Sequence, residues 1–444
     1  MTQTPEPVDL LIEAGHVVPV EPHGVVLEDH AVAVRDGAIV AVLPSAEARA
    51  RFTPVETVSR PGSALIPGLV NAHTHNPMNL LRGVADDLPL MTWLQEHIWP
   101  VEAAVVGPQF IADGVTLAVA EMLRGGTTCA NENYFFPDVE AATYQRLGFR
   151  AVVGLPVAQF ANAWAASEDE YFDKAIGVHD QWRGDGLVSL AFVPHAPYTV
   201  SDAAFGRIRT LADQLDLQVH LHTHETAQEV EDSVREHGQR PLARLDRLGL
   251  VNERLVAVHM TAVDEAEVAL CAARGVSVVH CPESNLKLAS GFCPVAKFEQ
   301  AGVNLAIGTD GAASNNDLDM FGEMRTAALL AKAVAGEATA FSATSALRAA
   351  TLGGAKAMGF DHLVGSIEPG KQADLACVDL SQLETQPLHN VASQLVYATG
   401  RHQVSDVWIA GVHKLRQREL ADIDLDGVIA NARQWRQRIA AIGR

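Results

Sequence analysis

The sequence predicts an α/β protein built on a (β/α)8 barrel of the TIM type. Eight short runs rich in β-branched residues alternate with longer amphipathic stretches between residues 65 and 360. Strands that alternate with helices pair in parallel through right-handed crossovers, and eight such units favour a closed barrel over an open sheet. The candidate strands are Leu65–Asn71, Thr127–Asn131, Ala151–Pro156, Val188–Pro194, Gln218–His222, Leu255–His259, Val276–His280 and Val303–Gly308.

Helical patterns separate many of these strands. The stretch Phe110–Leu123 has the apolar spacing of an amphipathic helix, and the Gly125-Gly126 pair after it favours a helix end. Further helical stretches are predicted at Asp202–Leu215, Asp264–Ala273, Val295–Gln300 and Asp422–Ile442.

The two ends of the chain have a different pattern. Ala31–Val42 alternates apolar and polar positions around Asp36-Gly37, which is a hairpin signal. Gly365–Leu380 and Ser405–Leu415 are strand-like with turn residues. We therefore predict that residues 1–64 and 361–444 together form a small β-sandwich domain beside a barrel at residues 65–360, with a terminal helix on the second piece.

Composition excludes several classes of protein. The formal net charge of −21 argues against a nucleic-acid-binding surface, which requires basic stripes. Five cysteines without a C-x-x-C pair indicate a reducing compartment. The N-terminus lacks the basic and apolar regions of a signal peptide, and no apolar run approaches the length of a membrane span. We expect a cytoplasmic protein with neither nucleic acid nor membrane as a partner.

Polar residues follow six of the eight candidate strands. They are His73 and His75 after the first strand, His195 after the fourth, His222 and Glu225 after the fifth, His259 after the sixth, His280 after the seventh and Asp310 after the eighth. In a parallel barrel the carboxyl ends of the strands form one face, and catalytic groups cluster there. His73 and His75 are two apart, so they point to the same side and can converge on one ion. Nitrogen and oxygen ligands are typical of a catalytic zinc-type metal, which predicts a metal-dependent hydrolase.

The fifth strand offers three histidines on one face, His220, His222 and His224. His220 lies deeper, where side chains fill a barrel interior, and His224 lies beyond the strand. His222 is at the rim, three residues before Glu225. We therefore predict His222 as the ligand and His220 as a core histidine.

Five segments of the chain resemble the amidohydrolase superfamily, and within it the 5-methylthioadenosine/S-adenosylhomocysteine deaminase group. They are Pro67–Glu102, V-P-H-A-P-Y at Val193–Tyr198, H-L-H-T-H-E-T at His220–Thr226, H-C-P-E-S-N-L-K-L at His280–Leu288 and G-T-D-G-A-A-S-N-N at Gly308–Asn316. The H-x-H and T-D elements mark the superfamily. The longer first segment, with Trp93, Glu102 and His195, indicates the group.

The resemblance implies one Zn²⁺ per subunit, held by His73, His75, His222 and Asp310. Fe²⁺ or Mn²⁺ would suit the same donors. Some superfamily members bridge two metals with a modified lysine after the fourth strand. Here that place has F-V-P-H-A-P-Y at Phe192–Tyr198, without lysine, which favours a single metal.

The resemblance also implies deamination of an adenosine-type nucleoside to the inosyl product and ammonia, by a homo-oligomer. The implied roles are Glu225 as proton shuttle, His259 as the water-activating histidine acting with Asp310, Glu102 as the acid that holds the ribose hydroxyls, Trp93 as a wall of that pocket and His195 as a further substrate contact. The roles of Arg150 and His280 stay open at this point.

Two alternatives remain open from the sequence. Another amidohydrolase, such as a guanine deaminase or a triazine aminohydrolase or chlorohydrolase, would use the same metal ligands. A non-enzymatic scaffold on the same barrel should lack some ligands, whereas this chain has all four.

Overall fold

The computed structural model describes residues 5–442, which contain sixteen strands in two sheets. The first four are β1 Glu6–Val17, β2 Leu27–Arg35, β3 Ala38–Pro44 and β4 Phe52–Pro67. The next eight are β5 Leu69–Thr74, β6 Thr127–Glu132, β7 Arg150–Val157, β8 Val188–Pro194, β9 Gln218–Thr223, β10 Leu255–His259, β11 Ser277–His280 and β12 Asn304–Ile307. The last four are β13 Leu375–Asp379, β14 Val404–Ile409, β15 Val412–Arg416 and β16 Glu419–Leu420.

Strands β5 to β12 form the predicted barrel. Each pairs in parallel with the next along the chain. A parallel bridge between Thr74 and Asp310 joins the two ends of this sheet. At the same seam the side chain of Asn71 accepts a hydrogen bond from the Thr309 amide (2.9 Å) and donates one to its hydroxyl (2.7 Å). The (β/α)8 prediction is confirmed.

Most helices lie between the barrel strands or follow them in the chain, and Ser45–Arg51 precedes the barrel. The α-helices of the described chain are Ser45–Arg51, Leu90–Thr92, Trp99–Val105, Pro108–Arg124, Pro137–Leu147, Glu168–Trp182, Asp202–Leu215, Ala227–His237, Pro241–Arg247, Glu265–Arg274, Pro282–Lys287, Val295–Gln300, Ala312–Asn315, Met320–Ala335, Ala343–Arg348, Gly354–Ala357, Val391–Tyr397 and Leu425–Ile442. Capping explains several boundaries: Asp264 and Glu267 form a reciprocal capping box, and Gly275 ends that helix in the left-handed conformation.

The first barrel strand begins later than the sequence pattern indicates. Leu65 and Ile66 belong to β4 and pair with β13 in the other sheet, so the barrel strand starts at Leu69. The chain changes sheets at Gly68-Leu69, because the amide of Gly68 still donates to the carbonyl oxygen of Asp374 whereas the amide of Leu69 donates to that of Gly126, just before β6. A Cβ on Gly68 would lie 2.0 Å from the hydroxyl oxygen of Thr128, so only glycine fits at this crossing.

The second sheet is mixed and combines both ends of the chain, as predicted. Its strand order is β16-β15-β14-β13-β4-β1-β2-β3. The sheet curls so that the turn between β2 and β3 contacts the turn between β14 and β15. The contact is close, because a Cβ on Gly37 would lie 2.7 Å from the carbonyl oxygen of Ala410. Apolar residues from both halves, including Ile12, Val34 and Trp408, fill the space inside the curl. This arrangement gives the small domain its sandwich-like core.

Arg150 connects the barrel to the small domain. It begins β7 at the end of the strand opposite the catalytic face, and its buried guanidinium contacts both carboxylate oxygens of Asp374 at 2.7 and 3.0 Å. Asp374 also accepts a hydrogen bond from the amide of Ala410. Arg150, whose role the sequence analysis left open, therefore has a structural role away from the barrel's catalytic face.

Within residues 5–442, no single helix is long and apolar enough to cross a membrane. One pair of helical segments, Leu90–Val105 and Pro108–Arg124, passes the length and composition test only when taken together, and it is bent by 113°.

Asp374→Ala should lower the free energy of unfolding by about 3–5 kcal/mol, because it leaves the buried charge of Arg150 without an opposite charge. Urea denaturation measures this change. The matched control is Glu56→Ala, which removes an exposed ion pair with Arg416 in the same sheet and should cost less than about 1 kcal/mol. Equal losses in the two variants would contradict a special role for the buried pair.

Candidate active site

Four side chains meet at the carboxyl-terminal end of the barrel. The Nε2 atom of His222 lies 3.2 Å from Nε2 of His73 and 3.4 Å from Nε2 of His75. The Oδ1 atom of Asp310 lies 3.1 Å from Nε2 of His75 and 3.4 Å from Nε2 of His73. The structure thus brings together all four residues that the sequence analysis selected as metal ligands.

Hydrogen bonds on the outer side of the rings fix the orientation of these histidines. Nδ1 of His75 donates to the carbonyl oxygen of Asn133 at 2.5 Å, and Nδ1 of His222 donates to the carbonyl oxygen of His195 at 2.6 Å. A carbonyl only accepts, so both rings carry their proton on Nδ1 and direct an Nε2 lone pair inward. Metal-binding histidines are oriented in this way.

The donor set fits a divalent metal such as zinc. Zn–N bonds of about 2.0–2.1 Å in tetrahedral geometry place neighbouring donor atoms about 3.3–3.4 Å apart. The four separations between these donor atoms, 3.1–3.4 Å, agree with that spacing. Lone pairs and a carboxylate oxygen that face each other so closely also repel, and a cation between them would remove this repulsion.

Asp310 is held by two serines. Its Oδ2 atom accepts hydrogen bonds from the hydroxyls of Ser284 (2.6 Å) and Ser314 (2.9 Å), which leaves Oδ1 directed at the histidines. The residue adopts a positive φ of 61°, a strained conformation for a residue other than glycine. Backbone and side chain together fix the carboxylate at the site.

His259 stands beside the same centre. Its ring is stacked on that of His222 with centroids 5.5 Å apart, and its Nδ1 lies 2.8 Å from Oδ1 of Asn285. With Nδ1 bound to Asn285, Nε2 is the atom free to contact a reacting group.

Glu225 follows β9 and lies at the edge of the centre, where it is half-buried. Desolvation raises the pKa of its carboxyl to about 7, although the nearby His222 acts in the opposite direction. The hydroxyl of Ser290 donates to Oε1 at 3.3 Å. The backbone amide of Glu225 donates to Oε2 of Glu229 at 2.7 Å, which anchors the segment that carries it. A carboxyl with a pKa near neutrality can both give and take a proton.

A cavity of about 730 Å³ opens above the four converging side chains. Trp93, Glu102 and His195 all line it, as do Glu225 and His259. Burial raises the pKa of Glu102 to about 7, whereas the hydrogen bond donated by the Tyr134 hydroxyl lowers it. Burial likewise lowers the pKa of His195 to about 3, so its ring is neutral at physiological pH.

Tyr134 contributes to the site and was not selected from the sequence, whereas His220 and His280 were considered there. Tyr134 holds Glu102 and also lies in the loop after a barrel strand, so the strand-end rule could have found it. His220 lies deeper in the barrel as expected, but its Nε2 is 2.8 Å from Nδ1 of His73. His280 is buried, and neither ring nitrogen has a hydrogen-bond partner among residues 5–442.

The barrel and its histidine–aspartate cluster define a metal-dependent hydrolase. The model of the amidohydrolase family matches residues 64–413, and the chain belongs to the amidohydrolase family. This confirms the resemblance that the sequence motifs indicated.

The chain is similar over nearly its full length to proteins named as deaminases. A 5-methylthioadenosine/S-adenosylhomocysteine deaminase from Teredinibacter turnerae is 48% identical, with 98% of each chain covered. A protein of the same name from Saccharophagus degradans is 45% identical, again over 98% of each chain. A crystal structure of an adenosine deaminase from Xanthomonas campestris with bound zinc is 74% identical and has a TM-score of 0.98, covering 99% of this chain and 100% of that one.

Tyr134→Phe should raise the pKa of Glu102 above about 7, because it removes the hydrogen bond that favours the charged carboxylate. Difference infrared spectroscopy against Glu102→Gln would follow the carboxyl band through a pH titration. Tyr198→Phe is the control, since Tyr198 lines the cavity without a hydrogen bond to Glu102. An unchanged titration in Tyr134→Phe would contradict the assignment.

Proposed function

We propose that the chain catalyses hydrolytic deamination of an adenosine-type nucleoside. The 5-methylthioadenosine and S-adenosylhomocysteine named for its relatives would be converted to inosyl products with release of ammonia. The observation that carries this proposal is the convergence of three Nε2 atoms and one carboxylate oxygen beneath a cavity that contains two further carboxyls with pKa values near 7.

His73, His75, His222 and Asp310 would hold one Zn²⁺ per subunit. The zinc bound to the 74% identical adenosine deaminase supports this metal, although Fe²⁺ or Mn²⁺ suits the same donors. Bound zinc lowers the pKa of water from about 15.7 to about 7, which supplies a strong nucleophile at neutral pH.

Proton transfers fall to the chain's own residues. Glu225, with its pKa near 7, would donate a proton to the ring nitrogen N1 and so make C6 more electrophilic. As the water oxygen bonds to C6, His259 and Asp310 would orient the water and accept its proton. Glu225, deprotonated by its transfer to N1, would take the proton that remains on the new C6 hydroxyl and pass it to the amine. The C6–N bond then breaks to leave a carbonyl at C6 and release ammonia, and the proton held by His259 and Asp310 returns to Glu225.

The cavity walls would recognise the nucleoside. Glu102 would accept hydrogen bonds from both ribose hydroxyls, while Trp93 and His195 contact the substrate. A buried carboxylate that loses these partners penalises substrates without a ribose, which favours nucleosides over free bases such as guanine.

The remaining expectations also stay predictions. A cytoplasmic location and the lack of a nucleic-acid or membrane partner are supported by the composition, including the charge of −21. The homo-oligomer is supported by the resemblance to the family.

His73→Ala should lose both bound metal and turnover, whereas Glu225→Gln should keep the metal and lose about 10²–10⁴-fold in kcat. Elemental analysis of the purified proteins and ammonia release from 5-methylthioadenosine measure the two properties separately. A fully active Glu225→Gln enzyme would rule out the proton-shuttle role.

Glu102→Gln should raise KM for nucleosides at least about tenfold without changing metal content, because a neutral amide is a weaker acceptor for two hydroxyls. In the unsubstituted enzyme, kcat/KM should fall as the pH drops below about 7, where Glu102 becomes protonated. The Glu102→Gln variant should not show this fall in kcat/KM below about pH 7. Unchanged nucleoside KM values would contradict ribose recognition by Glu102.

A further inference from the structure

The cavity wall has four carboxyl groups but no permanently positive side chain. Glu102, Glu225, Glu229 and Asp310 all line it, whereas no lysine or arginine does so within residues 5–442. A substrate group that carries a carboxylate would therefore meet acids and apolar surface, and no fixed cation to pair with.

Two basic residues could be expected near the cavity, Arg150 and Lys287, and both already form ion pairs. Arg150 is buried against Asp374 at the other end of β7. Lys287 precedes the wall residue Leu288, but its Nζ lies 2.6 Å from a carboxylate oxygen of Asp86. These ion pairs make both cations unavailable to a ligand without the loss of an existing contact.

Three of the neutral nitrogen donors on the wall are turned away from the open space. The indole nitrogen of Trp93 and the amide nitrogens of Asn133 and Asn162 are buried within the protein, although the residues themselves contribute to the wall. Because these atoms do not face the open space, they do not offer a hydrogen bond to a ligand carboxylate in this conformation.

The outer part of the cavity is apolar. Trp99, Phe160 and Tyr198 line it and are partly exposed, with 37%, 37% and 44% of their surface accessible, which places them towards its mouth. Leu94 and Leu288 contribute further apolar surface to the wall. An uncharged alkyl or alkylthio group would bury apolar surface there and gain free energy from the hydrophobic effect.

We propose that this cavity selects nucleosides whose 5′ substituent is uncharged and apolar, and discriminates against a 5′ substituent that ends in an amino-acid zwitterion. The inference rests on the proposed function and narrows its substrate class. An ammonium group finds acidic side chains on the wall, whereas the carboxylate attached to the same carbon meets no basic side chain there and only single neutral donors such as the Tyr198 hydroxyl.

Kinetics on the unmodified enzyme test this inference. Ammonia release gives kcat/KM for 5-methylthioadenosine, S-adenosylhomocysteine and 5′-butylthioadenosine. The butylthio compound keeps the sulfur and the four-carbon chain but lacks the amino and carboxylate groups. We expect kcat/KM for S-adenosylhomocysteine to be about 100-fold below that of the butylthio compound, and a ratio below tenfold overturns the inference. Turnover of none of the three would overturn the proposed function and this inference with it.

A variant pair tests the role of the missing cation. Phe160→Arg places a positive charge on the wall, and Phe160→Gln is the control of similar polarity without charge. The ratio of kcat/KM for S-adenosylhomocysteine to that for 5-methylthioadenosine should rise about tenfold in the arginine variant relative to the control. The same ratio in both would contradict discrimination by charge.

Discussion

The seam between the first and last strands of the barrel determines the geometry of the whole site. Here the side chain of Asn71 bonds to both the amide and the hydroxyl of Thr309, and a backbone bridge joins Thr74 to Asp310. These contacts bring a strand end with two histidines to a strand end with an aspartate that lies more than 200 residues later in the chain. Without closure of the barrel, His73 and His75 would have no carboxylate partner.

Around this seam, hydrogen bonds on the outer side of His75, His222 and Asp310 leave the lone pairs of their inward-facing atoms available to a cation. The outer nitrogens of His75 and His222 donate to carbonyl oxygens, and the second oxygen of Asp310 accepts from two serines. Burial raises the pKa values of two carboxyls, those of Glu102 and Glu225, to about 7. The same desolvated cavity therefore combines a cluster of histidines and an aspartate suited to a metal ion with acids able to transfer protons or bind hydroxyls.

The sequence was sufficient for much of this architecture, because periodicity shows where a strand ends and which of its side chains share a face. The strand Val188–Pro194 has the predicted bounds, and His73, His75, His222 and Asp310 converge from separate strand ends. Periodicity does not reveal partners across the fold. It therefore did not show that β4 continues to Pro67, that Arg150 pairs with Asp374 or that Tyr134 binds Glu102.

Crystallography of the zinc-loaded enzyme, with anomalous diffraction at the zinc absorption edge, tests whether the four side chains hold a single metal ion. We expect one anomalous peak per subunit, within bonding distance of Nε2 of His73, His75 and His222 and of Oδ1 of Asp310. A peak bound elsewhere, or two peaks in the barrel, would contradict the single four-ligand centre on which the proposed chemistry depends.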